Sequence, residues 1–108
     1  MLIFSQITFS SHPNAVKLYI ITYDITSDRR RRQVSHLLEG YGRRVQYSVF
    51  ECVLTVAKYN ELRRRMKPRI NFNEDSIRFY PLSGHTLSQV EAWGVGQPIA
   101  DSPCSVIV

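Results

Sequence analysis

Residues 18–32 read LYIITYDITSDRRRR. An apolar run ends on one carboxylate, Asp24, and the arginines Arg29, Arg30, Arg31 and Arg32 follow almost at once. Carboxylate oxygens are hard ligands suited to Mg2+ or Mn2+, and guanidinium groups match phosphate oxygens. Side by side they would suit metal-assisted chemistry on a phosphodiester, the ion activating water and offsetting charge that develops on phosphate. One carboxylate holds such an ion poorly, so a second copy of Asp24 across a two-fold axis, with water and phosphate oxygens, would have to complete the shell. A structural reading also fits: an Asp at a strand-to-helix junction caps or turns the chain. The residues alone lean slightly to the structural reading. Asp28 reads as a first-turn acid.

The wider charge pattern favours a polyanion. The 108-residue chain carries a net charge of +5, but from Arg29 to Arg69 twelve Lys and Arg stand against three acids, a balance of +9. The remainder has two bases and six acids, a balance of −4. Such segregation points to nucleic acid before membrane; the plainer alternative is two helices with solvated outer faces. Arg30 and Arg31 are expected at the sheet rim near Asp24, with Arg29 and Arg32 outward. Arg43 and Arg44 open the next strand, and Arg63, Arg64, Arg65 and Lys67 line a second helix. None is placed to read a base edge, so binding should be salt-dependent and tolerant of sequence. Tyr23, Tyr47 and Phe50 could stack on bases, with core packing ahead for Tyr47 and Phe50. Ser48 has no histidine at a spacing that would make it a nucleophile, and His36 and His85 as general bases carry little weight. Cys52 and Cys104 make no disulfide framework and suit a reducing, cytoplasmic compartment. The scattered histidines offer no zinc spacing.

The elements that must position these groups follow from pattern. Val16 to Tyr23 is short and rich in Ile and Tyr, a strand buried on both faces. Val34, Leu37, Leu38 and Tyr41 form one helical stripe, started by Thr26 or Ser27 and ended by Gly40 or Gly42. RRVQYSVFECVLTVA is too long for one ordinary strand and is split near Tyr47 and Ser48. A second helix in KYNELRRRMKP places Tyr59, Leu62 and Met66 on one face and stops at Pro68. EDSIRFYPLSG alternates around Ile77 and Phe79, with Pro81 requiring an edge or bulge. TLSQVEAW is the candidate for an additional C-terminal strand. The order predicts an α+β, ferredoxin-like βαββαβ sandwich over residues 17–96, after an untargeted N-terminal extension, 1–16, and before a C-terminal tail, 97–108. Two helices cover one sheet face only, yet the first strand has apolar groups on both sides. A homodimer, sheet against sheet, would cover the rest, with the C-terminal strand reaching the partner's sheet edge. No stretch approaches the ~18 apolar residues of a membrane-spanning helix.

LYIITYDIT, the arginine-rich helix ending LLEGYG, then RRVQYSVFEC and DSIRFYPLSG resemble in order and spacing the CRISPR-associated Cas-two family, over residues 17–96. The resemblance implies a ferredoxin-like homodimer that acts with the Cas-one integrase in spacer acquisition, supporting a DNA duplex. It also implies Mg2+-dependent endonuclease activity on single-stranded RNA or double-stranded DNA. The family's metal-binding acid matches Asp24, and its other implicated positions match Tyr23, Arg31, Arg44, Ser48 and Phe50. One further basic position of some members is Gln33 here. Three other readings stay open: a purely architectural DNA-binding dimer, a toxin ribonuclease of the related VapD type, and a ligand-sensing module that binds no nucleic acid.

Overall fold

The computed structural model describes residues 15–96 together with Pro98 and Ile99. Its chain order is β1 (Val16–Asp24), α1 (Asp28–Glu39), β2 (Arg43–Gln46), β3 (Val49–Thr55), α2 (Val56–Met66), a 3-10 turn (Lys67–Arg69), β4 (Ser76–Leu82) and a short α3 (Gly84–Leu87). The strands form one antiparallel sheet in the order β2-β3-β1-β4. This is the expected ferredoxin-like arrangement, with the two long helices on one face.

Each α-helix begins where a polar side chain satisfies a free amide. The Ser27 hydroxyl accepts from the Arg30 amide at 3.2 Å and opens α1, and Gly40 closes it. The Thr55 hydroxyl accepts from the Lys58 amide, so α2 starts at Val56, earlier than the sequence pattern suggested. Pro68 lies in the 3-10 turn that ends α2. The β2–β3 break falls at Tyr47 and Ser48 as expected, with irregular pairing between Arg44 and Gln46 that leaves Val45 out of register. Gly42 is obligatory for space: a side-chain carbon there would collide with the Glu51 carbonyl and the Cys52 sulfur.

Residues of β1 alternate between faces. Tyr19, Ile21 and Tyr23 join Val34, Leu37 and Leu38 of α1, Phe50 and Cys52 of β3, and Leu62 and Met66 of α2 in the core. Tyr19 stacks on Tyr59 with centroids 4.1 Å apart. Leu18 and Ile20 face the other way, in register with Val53 and Leu82 and with Glu51 and Tyr80 respectively. β4 is an edge strand, as Pro81 required.

The fifth strand does not form among the described residues. The Ser83 hydroxyl accepts from the Thr86 amide at 3.1 Å and starts the helical turn of α3. Leu87 and Val90 recur three residues apart, a helical rather than an alternating spacing, and residues 91–96 are irregular. The N-terminal extension up to residue 14, Cys104 and the final VIV lie outside the described residues. Among those described, no helix is long and apolar enough to cross a membrane.

Candidate nucleic-acid interface

Asp24 is the last residue of β1 and is exposed, between buried Tyr23 and Ile25. Strand alternation therefore turns its carboxylate away from the helices, toward the uncovered sheet face. Among the described residues that carboxylate has no ion pair or hydrogen bond, and no cluster of three or more His, Cys, Asp or Glu side chains forms anywhere.

The arginines at the start of α1 have divided fates. Arg30 donates to both oxygens of Asp75, at 2.7 and 3.0 Å, and to Glu74 at 3.0 Å. The Asp75 side chain is 0% exposed and also accepts from the Asn71 amide at 2.8 Å. Arg30, with that amide, holds the Asp75 carboxyl below the usual aspartate range. Arg30 is thus a structural tie to the loop before β4, and its partner Asp75 immediately precedes Ser76, which lies opposite Asp24 in the β1–β4 register. The sequence held the signal: Arg30 lies four residues before Val34 on the inward stripe, where a charge requires a partner. Arg31 donates to the Ile25 carbonyl at 2.9 Å and pairs with Asp28, whose carboxylate raises the arginine's pKa. Arg29 and Arg32 are exposed, as expected.

Arg44 lies opposite Phe50 in the β2–β3 register, so its side chain rises on the helix-covered face. It donates to the Ser35 hydroxyl of α1 and to the Tyr47 carbonyl, and its guanidinium sits 5.0 Å from the Phe50 ring centroid and 3.7 Å from Glu39. Phe50 is fully buried and Tyr23 nearly so, with their rings 6.4 Å apart. Both rings are packed in the core, as the sequence favoured for Phe50, and they form the floor under Arg44. The Tyr23 hydroxyl donates to the Tyr47 carbonyl at 3.4 Å, and its amide to the Ser48 carbonyl at 3.1 Å. Ser48 thereby acts through its backbone. Tyr47, read from the sequence as a core aromatic, is 75% exposed. Its place at the turn was the overlooked signal.

These residues enclose a cleft of about 380 Å³ between α1 and the β2–β3 turn, lined by Tyr23, Arg31, Arg32, Ser35, His36, Glu39, Arg44 and Tyr47. It gathers Tyr23, Arg31 and Arg44, sets Phe50 and Ser48 behind them, and leaves Asp24 on the other side of the sheet. Three fixed or rim guanidiniums against one carboxylate make a positive slot at the end of β1. Arg63, Arg64 and Arg65 on α2 are exposed, and Arg63 and Arg65 lie over Tyr59 and Tyr41. Cys52 is buried, and loss of solvent pushes its thiol up to about 12, which removes it as a nucleophile.

Comparison with known proteins gives a consistent result. Residues 17–90 match the model of the family described as CRISPR associated protein Cas2. The CRISPR-associated endoribonuclease Cas2 3 of Synechocystis is 59% identical over 91 residues, 84% of this chain and 98% of that protein. The crystal structure of Streptococcus pyogenes Cas2 is 38% identical, with a TM-score of 0.63 over 71% of this chain and 99% of that one. A chain of a partial Cas6-RT-Cas1–Cas2 complex is 37% identical, with a TM-score of 0.66 over 81% of this chain and 94% of that one.

Proposed function

The chain belongs to the Cas2 family of CRISPR-associated proteins, and on that premise we propose that it is a nucleic-acid-binding nuclease of CRISPR adaptation, working as a homodimer beside the Cas1 integrase. The observation that carries this reading is the cleft where Arg31, Arg32 and Arg44 meet beside the end of β1. Arg44 is fixed by Ser35, the Tyr47 carbonyl and the Phe50 ring, so it offers phosphate a charge that needs little ordering. Arg31 is held likewise by the Ile25 carbonyl and Asp28. Contacts of this kind hold duplex DNA or single-stranded RNA by the backbone and carry no sequence. The presence of relatives named for endoribonuclease activity and of a Cas1–Cas2 complex among the similar structures supports the role and the partner.

Asp24 is the residue that would hold the metal. Its donor type fits a hard divalent cation, which one or two carboxylates plus water and phosphate oxygens commonly hold. Mg2+ or Mn2+, when bound, supplies an acidified water and charge neutralisation at the phosphodiester. The chain's own contribution is an exposed carboxylate at a rigid strand end, uncommitted to any described side chain. Pairing of two sheets would bring a second Asp24 toward the first, and the accessible Ile20 and Tyr80 on that face favour such pairing.

The decisive experiment compares Asp24→Ala with wild type on labelled RNA and duplex DNA in the presence of Mg2+. Cleavage should be lost while salt-sensitive binding survives; unchanged cleavage by the variant would sink the catalytic assignment. An architectural reading without catalysis is favoured by one observation: Asp24 faces away from the arginine cleft, so a single chain does not assemble both. Retention on Cas1 together with a DNA duplex, with no cleavage by wild type, would establish that reading.

A further inference from the structure

One wall of the cleft has no part in holding phosphate. Tyr47 sits at the turn between β2 and β3, with its ring 75% exposed. Its backbone is nevertheless held in place. The Tyr47 carbonyl accepts from the Tyr23 hydroxyl and from Arg44. Tyr47 shares the lining of the cleft with Arg31, Arg32 and Arg44. The turn is therefore anchored through the Tyr47 carbonyl, and the ring stands along a slot of about 380 Å³. Arg32 on the rim is exposed and has no partner among the described residues.

An exposed ring on a backbone-anchored turn, beside the unpaired Arg32, is the layout of a base-stacking platform. Every nucleobase presents a flat face, but in a duplex both faces are covered by neighbouring base pairs. Only an unpaired nucleotide can offer one. We propose that this cleft is a subsite for one unpaired nucleotide, its base stacked on the Tyr47 ring and its phosphate against Arg44 and Arg32. Tyr47 then discriminates unpaired from paired nucleic acid, while the arginines hold either. Glu39, 3.7 Å from Arg44, opposes the phosphate and limits affinity. The subsite rests on the phosphodiester-binding reading of the cleft and adds to it a residue and a preference.

The test measures fluorescence anisotropy of four short labelled probes: single-stranded RNA, single-stranded DNA, a blunt duplex, and a single strand made of abasic sugar-phosphate. Wild type, Tyr47→Ala, Tyr47→Phe and Glu39→Gln are compared. Tyr47 is exposed on a turn, so its variants should fold, and circular dichroism checks this. Tyr47→Ala should weaken binding of at least one single strand by roughly tenfold or more and leave the blunt duplex and abasic strand nearly unchanged. The strand that responds identifies RNA, DNA or both as the source of the nucleotide. Tyr47→Phe should bind as wild type, and Glu39→Gln should bind the single strand more tightly. If Tyr47→Ala binds single strands as wild type does, or loses duplex binding equally, the stacking subsite is overturned while salt-sensitive duplex binding leaves the broader reading intact. If wild type binds none of the probes at low salt, both are overturned.

Discussion

Arg30 and Arg31 are adjacent in sequence and look equivalent there, yet the fold gives them different work. Arg30 is turned into the gap between α1 and the loop before β4, where Asp75 neutralises it. Arg31 lies one helical step round and borders the cleft. A consequence of the Arg30–Asp75 tie can be measured. Asp75 ionises more readily in the folded chain than at the ordinary value of 3.8, so the unfolded chain binds more protons as pH falls below about that value. This pair's contribution to stability is complete at neutral pH and is lost as pH drops through the lowered folded pKa. Asp75→Asn should melt several degrees below wild type at pH 7, and that deficit should narrow at strongly acidic pH. Thermal unfolding followed by circular dichroism across pH checks both. The sequence announced the arginines but not their partners, because Glu74 and Asp75 are more than forty residues away and only the α2–β4 connection brings them back. Tyr47 was misjudged for a related reason: aromatics in β-rich stretches usually pack inside, and only the placement of the turn exposes this one.

The elements themselves were largely legible. Both long helices, the break at Tyr47 and Ser48, and the edge position of β4 follow from periodicity, caps and Pro81. α1 matters most for the site, since its first turn carries Arg31 and its second Arg32 and Ser35. Its N-terminus is held by the Ser27 hydroxyl. Ser27→Ala should cost about 1 kcal/mol of stability and, by fraying the first turn, weaken nucleic-acid binding through Arg31; denaturant titration and binding isotherms on the same samples separate the two effects. The expected fifth strand failed because its sequence carries two signals. Valine and tryptophan in TLSQVEAW suggest a strand, but the Ser83 cap and the spacing of Leu87 and Val90 favour a helical turn.

At the scale of the whole molecule, the helices cover one face of a four-stranded sheet and leave Ile20 and Tyr80 accessible on the other. A domain of this size cannot wrap both faces of its sheet with its own helices, and a second copy is the economical cover. Light scattering should give twice the mass of one chain, and Ile20→Asp should shift the protein toward the monomer while the core beneath α1 and α2 stays folded. If the monomer retains salt-sensitive binding but loses cleavage, the arginine slot is a property of one chain and the reactive centre a property of two. The sequence held half of that division. It placed Asp24 and the arginines together because they are close along the chain, and only the alternation along β1 reveals that they look in opposite directions.

That alternation ties the gene's reading of β1 to function in an unforgiving way. Removing or inserting one codon inside the strand would exchange Tyr23 and Asp24 between its two sides, sending an ionised carboxylate into the hydrocarbon interior and an aromatic ring out to water. Substitutions along β1 can be graded one by one, whereas any odd-numbered change in its length strikes core, slot and acid at once.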